Sequence, residues 1–170
     1  AAKTINVTGN VQVDAGSSVD VGPFNATHQL TISGNLITDG NFNMYTAPAQ
    51  FCNITFAGAT DNTVTGAGAV CNFNRITVNK GSSSANIIDV QRVITMTPPT
   101  AANNYLTITN GTFKLSSAST IIPYYGGQTI AGATGRLWIS NAGAGISCVG
   151  AGVATSAGTP TVTGTLQVSA

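Results

Sequence analysis

The segment from residue 73 to 90, FNRITVNKGSSSANIIDV, strongly limits what this chain can fold into. Arg75 to Val78 alternates polar and apolar residues, and Ala85 to Val90 is a second run rich in apolar, β-branched residues. A small polar turn, Asn79 to Ser84, lies between them. Two short strands joined by a corner of small residues are typical of a β-solenoid, in which each strand stacks on its equivalent in the next coil.

A related five-residue pattern recurs: an aliphatic residue, Thr or Ser, Gly, any residue, and usually a second aliphatic residue. It occurs at Val7–Val11, Ile32–Leu36, Val64–Gly68 and Val162–Leu166. The glycine favours a bend with positive φ. The irregular spacing of the copies indicates coils of unequal length, about 20 to 30 residues each.

The strand pattern predicts an all-β fold, a right-handed parallel β-solenoid. Residues 1–170 are expected to form a single domain or one segment of a longer array. Three short strands are expected between Thr4 and Val21, and another over residues 93–96 with Val93 facing inward. No segment has apolar residues at the spacing of an amphipathic helix, so no helix is predicted. An antiparallel β-sandwich is the alternative, because short strands with glycine corners also suit it.

The composition favours an extracellular protein. Only 6% of the residues are charged and Glu is absent, whereas an average globular protein has about 25% charged residues. A neutral surface rich in Thr, Asn and Ser is typical of secreted bacterial adhesins and fibres. The six scattered cations argue against nucleic-acid binding. Polar residues interrupt every apolar run, so no membrane-spanning helix is expected.

Two segments carry a resemblance to a known family. Phe73 with Ile76–Lys80, and later Leu106–Leu115, resemble the repeats of large surface-exposed β-helix proteins of Bacteroidetes and related bacteria. The shared pattern begins with Phe, two residues, Leu or Ile, Thr, Val or Ile, Asn and Lys. A Gly/Ser turn and an apolar strand follow, and then Leu, Thr, Leu or Ile, two residues, Gly, Thr and Phe. The similarity extends from about Leu30 to Val168. It implies a solenoid at the cell surface and carries no catalytic residues.

Acidic residues provide the main argument for catalysis, and it is weak. Asp39 and Asp61 are about one coil apart, and sugar-cleaving or calcium-binding β-helices use such carboxylates. Each, however, begins an ordinary turn dipeptide, Asp39-Gly40 or Asp61-Asn62. His28 has no nucleophile or acidic partner nearby in the sequence. We therefore expect no catalytic residue, no metal site and no cofactor, and the chain is not predicted to be an enzyme.

Aromatic residues are the candidates for a binding site. Trp138, Tyr124 and Tyr125, with Tyr45, are candidates for a platform that stacks on sugar rings. Leu137 and Ile139 are expected to face inward, which leaves Trp138 on the opposite side of its strand. The alternative is that Trp138 packs beneath a loop. The second functional hypothesis is therefore a carbohydrate-binding or carbohydrate-cleaving parallel β-helix, similar to pectate lyases, with a surface polysaccharide as partner.

The three cysteines allow at most one intrachain disulfide. Cys52, Cys71 and Cys148 either remain buried free thiols, or Cys52 and Cys71 form a bridge about one coil apart. The local registers argue against the bridge. Superposing Ile54-Thr55 on Ile76-Thr77 places Asn74, and not Cys71, beside Cys52.

Both ends of the sequence have the pattern of core strands without a polar cap. Ile5 and Val7 lie in the first strand, and Leu166 and Val168 lie in the last. Uncapped solenoid ends leave backbone groups unpaired and apolar side chains exposed. The sequence therefore predicts a structural or adhesive solenoid, a surface scaffold or filament subunit, that stacks end to end with copies of itself or continues a longer solenoid.

Overall fold

A computed structural model describes residues 1–23, 25–96, 103–121, 124–125, 129–146, 161–162 and 165–168. All regular elements in these ranges are β-strands. They form a β-solenoid of about 5 turns with parallel sheets, as the alternating strands and glycine corners predict. Pro98 and Pro99 predict a loop over residues 97–100, because proline cannot donate to a strand ladder, and these residues lie outside the described ones.

The strands of the first four coils are short and follow the chain in sets of three, with one additional strand, β7. They are β1 (Thr4–Val7), β2 (Val11–Val13), β3 (Ser18–Asp20), β4 (Ala26–Ile32), β5 (Leu36–Thr38), β6 (Asn41–Asn43), β7 (Tyr45–Ala47), β8 (Gln50–Phe56), β9 (Asn62–Thr65), β10 (Cys71–Phe73), β11 (Arg75–Asn79), β12 (Ile87–Val90) and β13 (Thr95–Met96).

Later strands include two long ones that run through a corner. The strands are β14 (Asn103–Asn104), β15 (Leu106–Leu115), β16 (Thr120–Ile121), β17 (Tyr124–Tyr125), β18 (Thr129–Ile139), β19 (Gly145–Ile146), β20 (Thr161–Val162) and β21 (Thr165–Val168).

Parallel pairing between coils produces three faces. Face 1 stacks β1, β4, β8, β11 and the first parts of β15 and β18, followed by β20. Face 2 stacks β2, β5, β9, β12 and the second parts of β15 and β18, followed by β21. Face 3 stacks β3, β6, β10 and β13. Among the described strands, antiparallel pairing occurs only between β7 and β8 and between β14 and β17, so the sandwich alternative is wrong.

Apolar residues of successive coils lie in register inside the solenoid. On face 1, Ile54, Ile76 and Leu106 form one inner row, which confirms the superposition made from the sequence. On face 2, the strands contribute buried rows such as Val64, Val90 and Leu115. Stacking equivalent strands gives each side chain a neighbour of similar shape above and below, which fills the interior closely.

Outward residues of the same strands also form rows. On face 1, four threonines are paired in register across four coils, and we name them the Thr row: Thr31, Thr55, Thr77 and Thr107. On face 2, the corresponding outward positions are chemically mixed, and we name them the mixed row: Thr63, Asp89, Lys114, Trp138 and Gln167.

The corner between face 1 and face 2 contains a glycine on several coils, for two different reasons. Gly111 has φ 91°, a conformation that favours glycine. The positive φ expected for the five-residue pattern occurs at Gly66, with φ 112°, but not at Gly34. A Cβ there would lie 2.4 Å from the carbonyl carbon of Gly9 on the preceding coil, so close backbone approach excludes a side chain.

The predicted inward position of Val93 is wrong. Val93 is 58% exposed, and the next residue, Ile94, is buried at 2%. The backbone amide of Ile94 donates to Ser119 Oγ at 3.0 Å. The chain turns between β12 and β13, so the alternation of the preceding strand does not continue through this corner.

Candidate functional site

Trp138 lies on the outer side of β18, as the alternation with Leu137 and Ile139 predicts. The inward neighbours are 0% and 7% exposed, whereas Trp138 is half-buried. Two cations approach its indole ring. Lys114 Nζ, on the preceding coil, lies 4.7 Å from the ring centroid, and Arg136 Cζ, on the same strand, lies 5.1 Å from it. These distances are within the range of attractive cation–π contacts.

Polar groups extend this cluster along face 2. Lys114 Nζ also lies 3.4 Å from Asp89 Oδ2. Ser116 Oγ donates to the other carboxylate oxygen of Asp89 at 2.6 Å. The surface therefore presents an aromatic ring, two cations, a carboxylate and a hydroxyl within three neighbouring coils. Rings, ions and hydroxyls are the groups with which proteins hold sugars.

The two candidate tyrosines lie on a different sheet from Trp138. Tyr124 and Tyr125 form β17, which pairs antiparallel with β14 through Asn104 and Asn103. Tyr45 begins β7 and pairs with Phe51 of β8 on face 1. The strand pairing thus places Trp138 and the tyrosines in three separate positions, and the predicted shared platform is not formed by one sheet.

Sequence analysis missed an aromatic and cationic cluster on face 1. The guanidinium carbon of Arg75 lies 5.5 Å from the ring centroids of both Phe51 and Tyr105. Arg75 Nε is buried and has no hydrogen-bond partner among the described residues. The three residues come from different strands or loops, so only the register of the coils brings them together.

The candidate acidic residues act at turns. Asp39 Oδ1 accepts from the backbone amide of Ala67 at 3.1 Å, and Asp61 Oδ1 accepts from that of Ile87 at 2.8 Å. Asp39 follows β5 and Asp61 precedes β9, so the two lie at different corners. His28 Nδ1 accepts from the backbone amide of Lys3 at 3.1 Å. No group of three potential metal ligands is present in the described part of the chain.

The described cysteines are free and buried. Cys52 belongs to β8 on face 1 and Cys71 to β10 on face 3, which agrees with the free-thiol alternative. Burial raises the pKa of Cys52 to about 11. Burial also raises the pKa of Cys71, although Arg92 and a hydrogen bond with Thr38 oppose the shift. Cys148 lies outside the described residues.

A cavity of about 450 Å³ opens beside Arg92 and is lined by residues 66–71, Val93 and Thr95. Arg92 donates to the carbonyl oxygens of Thr38 at 2.6 Å and Gly68 at 2.5 Å, and to Thr38 Oγ1. The guanidinium thus ties three coils together. Its donors are used by the protein itself, so this cavity has a structural explanation.

The predicted assembly ends expose apolar surface. Ile5 on β1 is 57% exposed and Val168 on β21 is 73% exposed, while Val7 is half-buried. Leu166 pairs in register with Leu137 on β18. A cavity of about 270 Å³ opens at the first coils, where Ile5, Val19 and Leu30 meet.

Comparisons with protein-family models, with curated proteins and with solved structures give no match. Among the described residues, no helix has both the length and the apolar character needed to cross a bilayer. The class defined by the observations is therefore that of the fold, a parallel β-solenoid.

Proposed function

We propose that this chain is an extracellular structural or adhesive β-solenoid, a surface scaffold or filament subunit that assembles end to end, and not an enzyme. The observation that carries the proposal is the apolar cross-section at the first coil. Ile5 and Val19, on face 1 and face 3, are 57% and 41% exposed. The described coils between the two ends bury the apolar rows of their strands against neighbouring coils, so a further coil is the surface that fits this end.

The backbone of the first strand also fits a second copy of the chain at this end. Strand β1 is the edge of face 1, paired with β4 in the described chain. A parallel strand from a second copy can continue this ladder through main-chain hydrogen bonds, and Val168 offers an exposed apolar side chain near the opposite end. Contact between different ends is heterologous and does not close, so it produces a filament.

The extracellular location rests on composition and on the resemblance of residues 73–80 and 106–115 to bacterial surface β-helix proteins. A chain with 6% charged residues and no Glu has the neutral surface of such proteins. Surface labelling of intact cells with an antibody to this chain tests the location. Labelling only after the cells are lysed would contradict it.

Ile5→Asp and Val168→Asp test the assembly, because each places a charge in the proposed joint. Both should abolish large assemblies seen by light scattering and electron microscopy while the β-sheet circular dichroism signal persists. Val93→Asp is the matched control, since Val93 is also exposed, at 58%, but lies in the middle of the stack. A soluble monomer of the unmodified chain at high concentration would contradict end-to-end assembly.

The cluster around Trp138 favours a second function, binding of a polysaccharide by face 2. The supporting observation is the half-buried indole with Lys114 and Arg136 against its ring, and with Asp89 paired to Lys114. On a glycan array, Trp138→Ala should remove binding that Tyr45→Ala, at another sheet position, retains. Equal binding by both variants would assign any glycan binding to a different surface.

A further inference from the structure

Lys80 is the least expected side chain in the interior. It is 0% exposed, although lysine is almost never fully buried. It follows β11 at the corner between face 1 and face 2, where the next coil has Gly111, and a Cβ on Gly111 would lie 2.8 Å from Lys80 Cβ. The glycine thus leaves room for the lysine stem inside the corner.

The Lys80 amine has two partners, one of them a buried side-chain amide. Lys80 Nζ lies 2.9 Å from the carbonyl oxygen of Ala57 and 2.5 Å from Asn62 Oδ1. Because a C=O bond is about 1.23 Å long, Asn62 Cγ is at most about 3.7 Å from the amine. That separation is close to the roughly 3 to 3.5 Å of reacting atoms that are ready to combine.

Asn62 occupies a position that neighbouring coils give to apolar residues. It is paired in register with Ile88, which is paired with Phe113, which is paired with Leu137. Asn62 is 8% exposed. An amide in an apolar row that meets a buried amine across two coils is poorly explained by packing alone, because two apolar residues would fill the same space without burying polar groups.

We propose that Lys80 and Asn62 form an intramolecular isopeptide bond. Lys80 Nζ, in its neutral form, attacks Asn62 Cγ and the Nζ–Cγ bond forms. The Cγ–Nδ2 bond then breaks, and Nδ2 leaves as ammonia with the proton that Nζ gives up. The reaction needs no oxidant, reductant or second reactant, and it joins the third coil covalently to the fourth.

The surroundings supply what the reaction requires. Burial lowers the pKa of Lys80, although the charge of Asp61 opposes the shift, so burial favours the neutral amine that acts as nucleophile. A cavity of about 190 Å³, lined in part by Asp61 and Asn62, provides a route for ammonia to leave. Asp61 is the carboxylate next to the reacting amide in the chain, and we assign it the transfer of the proton.

Mass spectrometry of the intact folded chain is the first measurement. The expected mass is below the sequence mass by one molecule of ammonia. Trypsin then distinguishes the product from a succinimide at Asn62, which loses the same mass. Unmodified Lys80 releases the free peptide Ile76–Lys80, whereas the isopeptide bond blocks that cleavage and leaves residues 76–92 joined to residues 4–75.

Matched variants complete the experiment. Lys80→Arg retains the charge and Asn62→Leu matches the apolar row, and both should restore the full mass and the free peptides. Lys3→Arg makes the same kind of change at a lysine of the first coil, away from this site, and it should retain the bond. A chain held in denaturant from its synthesis onward, so that it never folds, should also have its full mass, because Lys80 and Asn62 are then not held together.

Time courses test the proton transfer. The isopeptide bond should form faster in mildly alkaline than in acidic buffer, because the neutral fraction of the Lys80 amine rises with pH. Asp61→Asn should slow bond formation, and an unchanged rate would overturn the role given to Asp61. A folded wild-type chain with full sequence mass and a free Ile76–Lys80 peptide overturns the bond itself, and so does ammonia loss found on residues 4–75 alone.

Discussion

Face 1 and face 2 have similar interiors and different exteriors. Inside, both stack aliphatic and phenylalanine residues, with Phe56 on face 1 and Phe113 on face 2 almost fully buried. Outside, face 1 repeats one residue type in the Thr row, while the mixed row of face 2 changes at each coil. Packing between coils restricts which residues can occupy the interior, whereas the residues of the outer rows can differ from coil to coil. Specific binding is therefore expected on face 2, where the mixed row replaces a repeated residue type.

The spacing of the Thr row shows how loops conceal a spatial repeat. Thr31, Thr55, Thr77 and Thr107 are separated by unequal numbers of residues in the sequence, yet they are paired in register. Insertions at the corners change the length of a coil without shifting the strands. A β-strand ladder requires only that equivalent residues pair, at about 4.8 Å between strands.

Substitutions in the interior should cause the largest loss of stability, and the loss should be similar on face 1 and face 2. Phe56→Ala and Phe113→Ala each remove a buried ring and leave a cavity, so each should lower the free energy of unfolding by about 3 to 5 kcal/mol. Urea denaturation followed by circular dichroism measures the change. A loss on one face that is several times the other would contradict the equivalence of the interiors.

Substitutions in the outer rows should cause smaller losses of stability, and the loss should be greater in the mixed row than in the Thr row. Asp89→Ala on face 2 removes contacts with Lys114, Ser116 and Gln91. The carboxylate is partly shielded from water, so the expected loss is about 1 to 2 kcal/mol.

Thr77→Val on face 1 is the matched change in the Thr row. It keeps the β-branched shape, so the free energy of unfolding should change by less than about 0.5 kcal/mol. The same urea titration measures both variants. Equal losses would mean that the Thr row also contributes specific interactions, and the contrast between the two exteriors would fail.

Added salt should affect the two faces differently as well. The ion pair of Lys114 and Asp89 is weakened by screening, while the Thr row has no charge to screen. The stability difference between Asp89→Ala and the unmodified chain should therefore decrease as the salt concentration rises. The difference for Thr77→Val should remain constant over the same range, and a parallel decrease would contradict the electrostatic explanation.

Much of the fold follows from alternation within strands, and much of the candidate site does not. Neighbouring side chains of a strand point to opposite sides. This alternation predicts that Ile76 and Val78 face inward while Thr77 faces outward, and it places Trp138 on the outside of its strand. The contact of Trp138 with Lys114 depends on the register between coils, which corner insertions hide. Val93 and Lys80 show the same limit, because at a corner the alternation no longer tells which side chain faces inward.

Thiol labelling compares how tightly the two faces close. Cys52 lies inside face 1, and Val64→Cys would place a thiol at a position of face 2 that is 1% exposed. Burial raises the pKa of Cys52 to about 11, above the ordinary value of about 8.5. The reactive form is the thiolate, so alkylation of the folded chain should be slow at neutral pH and should accelerate as the pH rises toward that pKa. Tandem mass spectrometry of the digested protein, which assigns each label to a single cysteine, should find both faces protected to a similar extent, with rapid labelling in denaturant as the control. Rapid labelling of one face alone in the native chain would show that the coils open locally at that face. The two interiors would then differ in their dynamics, even though their packing is similar.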